Sequence, residues 1–197
     1  MGSRLAKNLD LVAWLLAGLL WTSVSWATVL NVPQRYQEQS QWCWAACSQA
    51  VLEYYLTKKT QTEIAQYGTE GAYIFNWLAG STTNPTRNGI DLILMHFAQL
   101  PTTHWWNYLS QNQVYSEIAA RRPFVILWLL DSGGGHFVVA KGIDGDYMTL
   151  MDPGAGPTIS TYSWVRRGSS HIWTDTLTPN RRGPANISAA IYLLLGN

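Results

Sequence analysis

The chain has 197 residues, 47% hydrophobic and 13% charged, with a formal net charge of +1. That length suits one domain with a substantial core, and a balance this close to neutral excludes nucleic acid as an expected partner, because phosphate recognition needs a basic patch. Eleven Trp and ten Tyr point to a core or cleft rich in aromatic rings.

The first element is residues 1–27. Arg4 and Lys7 precede an apolar run from Leu11 to Trp21, and Ser25-Trp26-Ala27 puts small residues at the two positions a signal peptidase inspects. The pattern predicts a secretory signal peptide over 1–27 and a single domain over 28–197, secreted or periplasmic. An uncleaved anchor is the alternative, since Leu11 to Ala27 is barely long enough to span a bilayer. After cleavage no stable membrane span is expected. No cysteine follows Ala27 and no Arg pair precedes the apolar run, which argues against a lipoprotein and a twin-arginine signal. Cleavage removes Arg4, Lys7 and Asp10, leaving 11 basic and 11 acidic side chains from the 13 and 12 of the whole chain.

Gln41-Trp42-Cys43-Trp44-Ala45-Ala46-Cys47-Ser48-Gln49-Ala50 runs on through Val51, Leu52, Tyr54 and Tyr55 and reads as a buried helix. Ala45, Ala46 and Ala50 are strong helix formers, and Ala46, Ala50, Val51, Tyr54 and Tyr55 recur near the 3.6 period. Cys43 falls in the first turn, behind a polar, non-helical run from Gln37 to Gln41. A thiol there meets unpaired backbone N–H groups and the positive end of the helix dipole, which favour thiolate, so Cys43 is the candidate nucleophile. Cys47 sits a full turn deeper and reads as a small buried hydrophobe. A disulfide between them is disfavoured, because helical positions four apart hold their Cβ atoms about 5–6 Å apart and a disulfide wants about 3.8 Å. A zinc site built from both thiolates and His136 lacks a recognisable ligand spacing. Neither metal nor cofactor is expected.

Gln37, five intervening residues and then Cys43-Trp44-Ala45 resemble the papain-like cysteine peptidases, whose oxyanion-hole glutamine and nucleophile stand at that spacing. The stretch from Val32-Pro33-Gln34 to Trp42-Cys43-Trp44-Ala45-Ala46-Cys47 is similar to the compact bacterial branches, the C39-like and C70 (AvrRpt2-like) groups. Plant and animal papains carry a second cysteine shortly before the nucleophile, where this chain has Gln and Ser. The resemblance implies a papain-like α+β fold, with a helical lobe whose central helix packs on a mostly antiparallel sheet lobe. It also implies Gln37 as oxyanion donor, and a histidine and an acid or amide downstream. Gln34 and Gln39 are rival donors; the spacing favours Gln37.

Residues 57–120 read as short helices and loops. Thr62 to Gln66, Ala72 to Ala79 and Asn88 to Ala98 carry mixed apolar patterns, broken by Gly68, Gly71, Gly80 and Pro85. Ser110-Gln111-Asn112-Gln113 opens a further helix with a capping box, with Val114, Ile118 and Ala119 on one face. His96 and His104 read as core residues, since neither is followed by a strand leading to a carboxylate.

Phe124 to Leu130 is a continuous apolar run that predicts a buried central strand. Gly133-Gly134-Gly135 either lets the backbone approach a cleft closely before His136 or forms an ordinary loop. Two apolar runs then flank an Asp-Gly turn, a hairpin signal. A three-residue loop centred on Asp144, with Gly145 left-handed, would set His136 directly opposite Asp152, with Cβ atoms about 5 Å apart on one face. A two- or four-residue loop would shift the pairing by one position. The chain order Gln37, Cys43, His136, Asp152 is that of the papain-like families. Thr158 to Trp164 and His171 to Thr176 read as further strands, with His171 lining the second, and Ile187 to Leu195 as a segment closing the sheet. Trp42 and Trp44 read as core, and Trp164 and Trp173 as shields for the His136–Asp152 contact. Asn186-Ile187-Ser188 matches a glycosylation acceptor.

The four site residues imply an exported cysteine peptidase acting on a peptide or protein substrate through a Cys-His-Asp triad and an acyl-enzyme. The same set would serve another thiol acyl-transfer enzyme, a cell-wall amidase or a deamidase, because it fixes the electrophile as an acyl group and not its owner. A catalytically silent, Trp-rich binding module is the third reading, against which the intact Gln37, Cys43, His136 and Asp152 count. Only Thr28 to Pro33 separates the cleavage position from the motif, which leaves no room for an inhibitory pro-domain. Control is then expected from export, a proteinaceous inhibitor or narrow specificity.

Overall fold

In the computed structural model, which describes residues 28–80 and 87–184, the alanine-rich stretch around Cys43 forms α1, Cys43–Tyr54. Almost all of α1 is buried, on every side, as befits a helix at the centre of a core. The remaining elements are β1 (Thr28–Val29), α2 (Gln61–Thr69), α3 (Ile90–Ala98), β2 (Thr102–Trp105), α4 (Gln111–Ala119), β3 (Phe124–Leu130), β4 (Gly135–Asp144), β5 (Tyr147–Asp152), β6 (Gly156–Thr161), α5 (Tyr162–Arg166) and β7 (His171–Pro179). The signal-peptide segment, Ile187 to Leu195 and the Asn186 acceptor lie outside the described residues.

Short helices need end contacts, and α2 and α4 have them: Thr60 with Glu63 and Ser110 with Gln113 form complete capping boxes. On α4 Val114 and Ile118 are buried as expected, whereas Ala119 turns to solvent. The stretch from Ala72 to Ala79 forms no helix. Its carbonyls at Ala72 and Ile74 instead accept from the indole N–H groups of Trp42, at 3.2 Å, and Trp44, at 3.0 Å. Those buried rings thus bind an irregular segment to the start of α1.

The strands form one antiparallel sheet in the order β2-β7-β3-β4-β5-β6, with β1 added to β4. Helix α1 packs on β4 and against α2 and α3, which gives the helical and sheet lobes. The expected strand from Thr158 to Trp164 is cut short, because the Thr161 hydroxyl accepts from Trp164 N at 3.3 Å and starts α5.

The hairpin between β4 and β5 differs from its expected form. Asp144 pairs with Tyr147, so the turn holds two residues, Gly145, at φ 54°, and Asp146. That register alone would put His136 and Asp152 on opposite faces of the sheet. A bulge at Lys141 corrects it: pairing steps from Gly142 with Thr149 to Ala140 with Leu150, and the one extra residue restores the parity. The continued register sets Asp152 beside Val138, so His136 and Asp152 are diagonal neighbours on one face and not directly opposed. The bulge is held from outside. Lys141 O accepts from Leu30 N at 2.7 Å, and Lys141 Nζ donates to Val32 O at 3.1 Å.

A second bulge lies in β7. Leu127 pairs with Asp175 but Trp128 pairs with Trp173, so Thr174 is extra and Trp173 and Asp175 face opposite sides.

Candidate active site

Helix α1 starts without a side-chain cap and without an acidic residue in its first turn. Its positive end is therefore left unneutralised beside Cys43, the first helical residue, which is 4% exposed. Both cysteines are free. Cys47 is fully buried, and burial, with the charges of Cys43 and Asp152 adding to it, pushes its thiol well up. It stays protonated and inert.

Strand β4 presents His136 from the other lobe. His136 Nε2 and Asp152 Oδ1 lie 2.8 Å apart, and Cys43 stands close enough to the ring to raise its pKa. Asp152 Oδ1 further accepts from Gly154 N at 2.8 Å and Ala155 N at 3.0 Å. Asp followed by Pro-Gly is a turn signal in which the acid bonds its own backbone; here that turn also fixes the carboxylate. Gln34 Nε2 holds the Asp152 carbonyl at 2.8 Å.

Burial alone would pull the His136 pKa down, but the hydrogen bonds and charges of Asp152 and Cys43 outweigh it and raise it to about 9. Burial alone would push Asp152 up; its bond to His136, that ring's charge and the N–H groups of Ala155 and Gly154 instead hold it below the ordinary 3.8. Imidazolium and carboxylate therefore coexist at neutral pH. The raised His136 value contributes stability that is complete below its ordinary 6.5 and is lost as pH rises through about 9. The lowered Asp152 value contributes stability present above 3.8 and lost as pH falls through its folded value. Activity that needs the imidazolium is expected to follow the same basic limb, near pH 9. A kcat/KM profile with its basic limb at the ordinary histidine value of 6.5 would contradict this arrangement.

Gln37 stands at the edge of the site with its donor engaged. Its Nε2 donates to Gln39 O at 3.0 Å and to Ser40 O at 2.8 Å. Its Oε1 and His136 Cε1 lie 3.9 Å and 3.5 Å from the point where a Cβ on Gly154 would stand. The two lobes meet here, since Gln37 N donates to Pro153 O at 3.0 Å. Of the rival donors, Gln34 is turned to the Asp152 carbonyl and Gln39 is exposed, offering its carbonyl to Gln37.

Two contributors escaped the sequence. Gln61, 1% exposed, donates to Tyr36 O at 2.7 Å and accepts from Glu38 N at 2.9 Å, clamping the backbone on both sides of Gln37. Nothing in its sequence context marks it. Trp128, the cross-strand partner of His136, has its ring centroid 6.1 Å from the imidazole. Trp164 stands edge-on to Trp128, whereas Trp173 stacks on Phe124, so the shielding expected of Trp164 and Trp173 falls first to Trp128. The period-2 alternation of β3 against β4 would have found it.

The remaining histidines differ from expectation in part. His96 is exposed and stacks on Tyr67 at 4.0 Å. His104 does meet a carboxylate, its Nε2 lying 3.1 Å from Asp175 Oδ1, because β2 pairs with β7. His171 lies in β7, buried between Trp128 and Trp164, with Nε2 3.1 Å from Trp164 O.

A thiol at the start of a buried helix, facing an imidazole carried by an antiparallel sheet, is the layout of the papain-like cysteine peptidases. The chain belongs to the Peptidase_C39 like family, whose model matches residues 29–176, and is thus a cysteine-type peptidase; of the two bacterial branches considered, the match selects the C39-like one. Solved structures agree on the fold. A Bacillus anthracis protein described as a C39-like peptidase shares 14% identity, with 80% of this chain and 99% of that one covered at a TM-score of 0.53. The peptidase domain of Streptococcus ComA, a bifunctional ABC transporter of a quorum-sensing pathway, shares 12% identity over 76% of this chain and 98% of its own, at 0.55. A double glycine motif protease from an AMS/PCAT transporter, solved with its leader peptide, shares 18% identity over 77% and 94%, at 0.50. Comparison with curated protein sequences finds no match.

Proposed function

We propose that this chain is an exported peptidase that cleaves peptide bonds with Cys43 as nucleophile, His136 as acid and base, and Asp152 as the group orienting the imidazole. The observation that carries this reading is a single ring, 2.8 Å from the Asp152 carboxylate, whose pKa is raised by both Asp152 and Cys43. The thiolate adds to the scissile carbonyl carbon, and the carbonyl oxygen becomes an oxyanion. His136 passes its proton to the departing amine, the C–N bond breaks, and a thioester to Cys43 remains. Neutral His136 then takes a proton from water, whose oxygen attacks the thioester. Release of the acid regenerates thiolate and imidazolium.

The Cys43 N–H and Gln37 Nε2 are the oxyanion donors. Gln37 can serve only by giving up one of its two backbone acceptors, so part of its contribution is offset by the bond it breaks. Gln37→Ala is expected to lower kcat by about 10²-fold, the low end for loss of such a donor, with little change in KM. An unchanged kcat would remove Gln37 from the mechanism.

Export through residues 1–27 is supported by the charged, apolar and small-residue pattern of that segment. Among the described residues no helix is long and apolar enough to cross a membrane. A peptide substrate is supported by the neighbour solved with a leader peptide. Expression with export, N-terminal sequencing of the released protein and its incubation with peptides and with peptidoglycan fragments test the whole reading. Release beginning at Thr28 and Cys43-dependent cleavage of peptides are expected. Turnover of peptidoglycan fragments alone would assign the same thiol chemistry to a cell-wall amidase.

A further inference from the structure

We propose that Gln61, backed by Gln49, is a positioning residue for the oxyanion site: it sets where the backbone of Gln37 stands relative to the Cys43 N–H, and so whether both donors meet at one oxygen. This deepens the proposed mechanism and rests on Gln37 being an oxyanion donor.

A glutamine amide offers donors on its nitrogen and an acceptor in its oxygen. Gln61, at the start of α2 and 1% exposed, uses both ends. Its Nε2 donates to Tyr36 O at 2.7 Å and to Gln49 Oε1 at 3.2 Å, and its Oε1 accepts from Glu38 N at 2.9 Å. Tyr36 and Glu38 flank Gln37, whereas Gln49 belongs to α1, the helix that begins with Cys43. A single buried amide therefore joins the two stretches of chain that carry the two donors. Gln49 is held in turn, since its Nε2 donates to Lys59 O at 2.9 Å. The capping box of Thr60 and Glu63 fixes the turn from which Gln61 projects.

The bonding pattern also fixes which way the amide faces. The Tyr36 carbonyl only accepts and the Glu38 N–H only donates, so Gln61 turned end for end would leave both unpaired. Gln37 needs such a frame because its own side chain, bonded to Gln39 O and Ser40 O, must swing to reach an oxyanion. A swing ends at a defined point only if it starts from one. The bond from Gln37 N to Pro153 O ties that start to the sheet lobe, and Gln61 ties it to α1. A catalytic group misplaced by about 1 Å can cost about 10²-fold in rate.

Gln61→Met is the test, because it keeps the length of the side chain and removes the bonds to Tyr36, Glu38 and Gln49. The kcat for peptide hydrolysis is expected to fall about tenfold, short of the about 10²-fold expected for Gln37→Ala, with KM changed by less than about twofold. Placed on Gln37→Ala, the same substitution should cost nothing further, since the donor it positions is gone. Reaction of Cys43 with a small disulfide should keep its wild-type rate, because the thiolate there attacks sulfur, releases a second thiolate and forms no oxyanion. Gln49→Ala, which spares the two backbone bonds of Gln61, should repeat the pattern with a fall of about threefold and decides the matter where the Met variant does not fold. An unchanged kcat in these variants, an equal loss with and without Gln37, or a slowed disulfide reaction leaves Gln61 a part of the fold alone and overturns the inference, while Gln37 keeps its role. An unchanged kcat in Gln37→Ala itself overturns both.

Discussion

Cys43→Ala is expected to abolish peptide hydrolysis, with a loss of at least about 10⁴-fold, since removing a nucleophile removes the covalent route and leaves only binding and oxyanion contributions. Labelling by a thiol-directed epoxide should vanish with it. Cys47→Ala is the control that separates chemistry from packing. Cys47 is one turn along the same helix, fully buried and held protonated by burial, so its loss trims a small core side chain and should leave most activity in place. The reverse result, activity kept without Cys43, would end the assignment. Labelling kept in Cys43→Ala and lost in Cys47→Ala would move the nucleophile one turn deeper into α1.

The second large effect is expected at Asp152. Its Oδ1 gathers three donors, the His136 ring and the N–H groups of Gly154 and Ala155, so Asp152→Ala frees the ring and unties the turn behind it. A loss of about 10³- to 10⁴-fold in kcat/KM is expected, as for removal of the orienting acid in other triads. Asp152→Asn is the informative partner, because an amide oxygen can still accept from those donors while the charge is gone. It should keep more activity than the alanine variant, with its basic limb displaced below pH 9, because the hydrogen bond and charge of Asp152 are what chiefly raise His136. Equal activity in both variants would mean that charge, and not orientation, is the contribution of this residue.

Local signals in the chain were enough for the elements that carry the site. Alanine spacing marks α1, Ser110 and Gln113 mark the start of α4, and an unbroken apolar run marks β3. Cys43, His136 and Asp152 are brought together by the fold those elements build. What stayed hidden depends on pairing across long stretches of sequence. His104 looks isolated until β2 lies against β7 and Asp175 arrives from 71 residues away. Gln61 has no motif because its partners are backbone groups of a segment that precedes it by more than 20 residues. The stretch from Ala72 to Ala79 carries apolar residues without adopting a helix, because two indoles from α1 take its carbonyls. The hairpin register could not be read for a related reason: a two-residue turn and a bulge at Lys141 together mimic, on the side that matters, what a three-residue turn would have done.

The protruding Lys141 also limits how this molecule can change in length. Between the ring and its acid the chain in effect counts residues by twos. With the Asp144–Tyr147 pairing kept, one residue added to or dropped from either paired strand would swing the carboxylate behind the sheet, and a second such change would bring it back. Residues added to the turn itself leave that pairing unchanged, so length variants within the strands should retain catalysis only in even steps, whereas turn variants should tolerate odd ones.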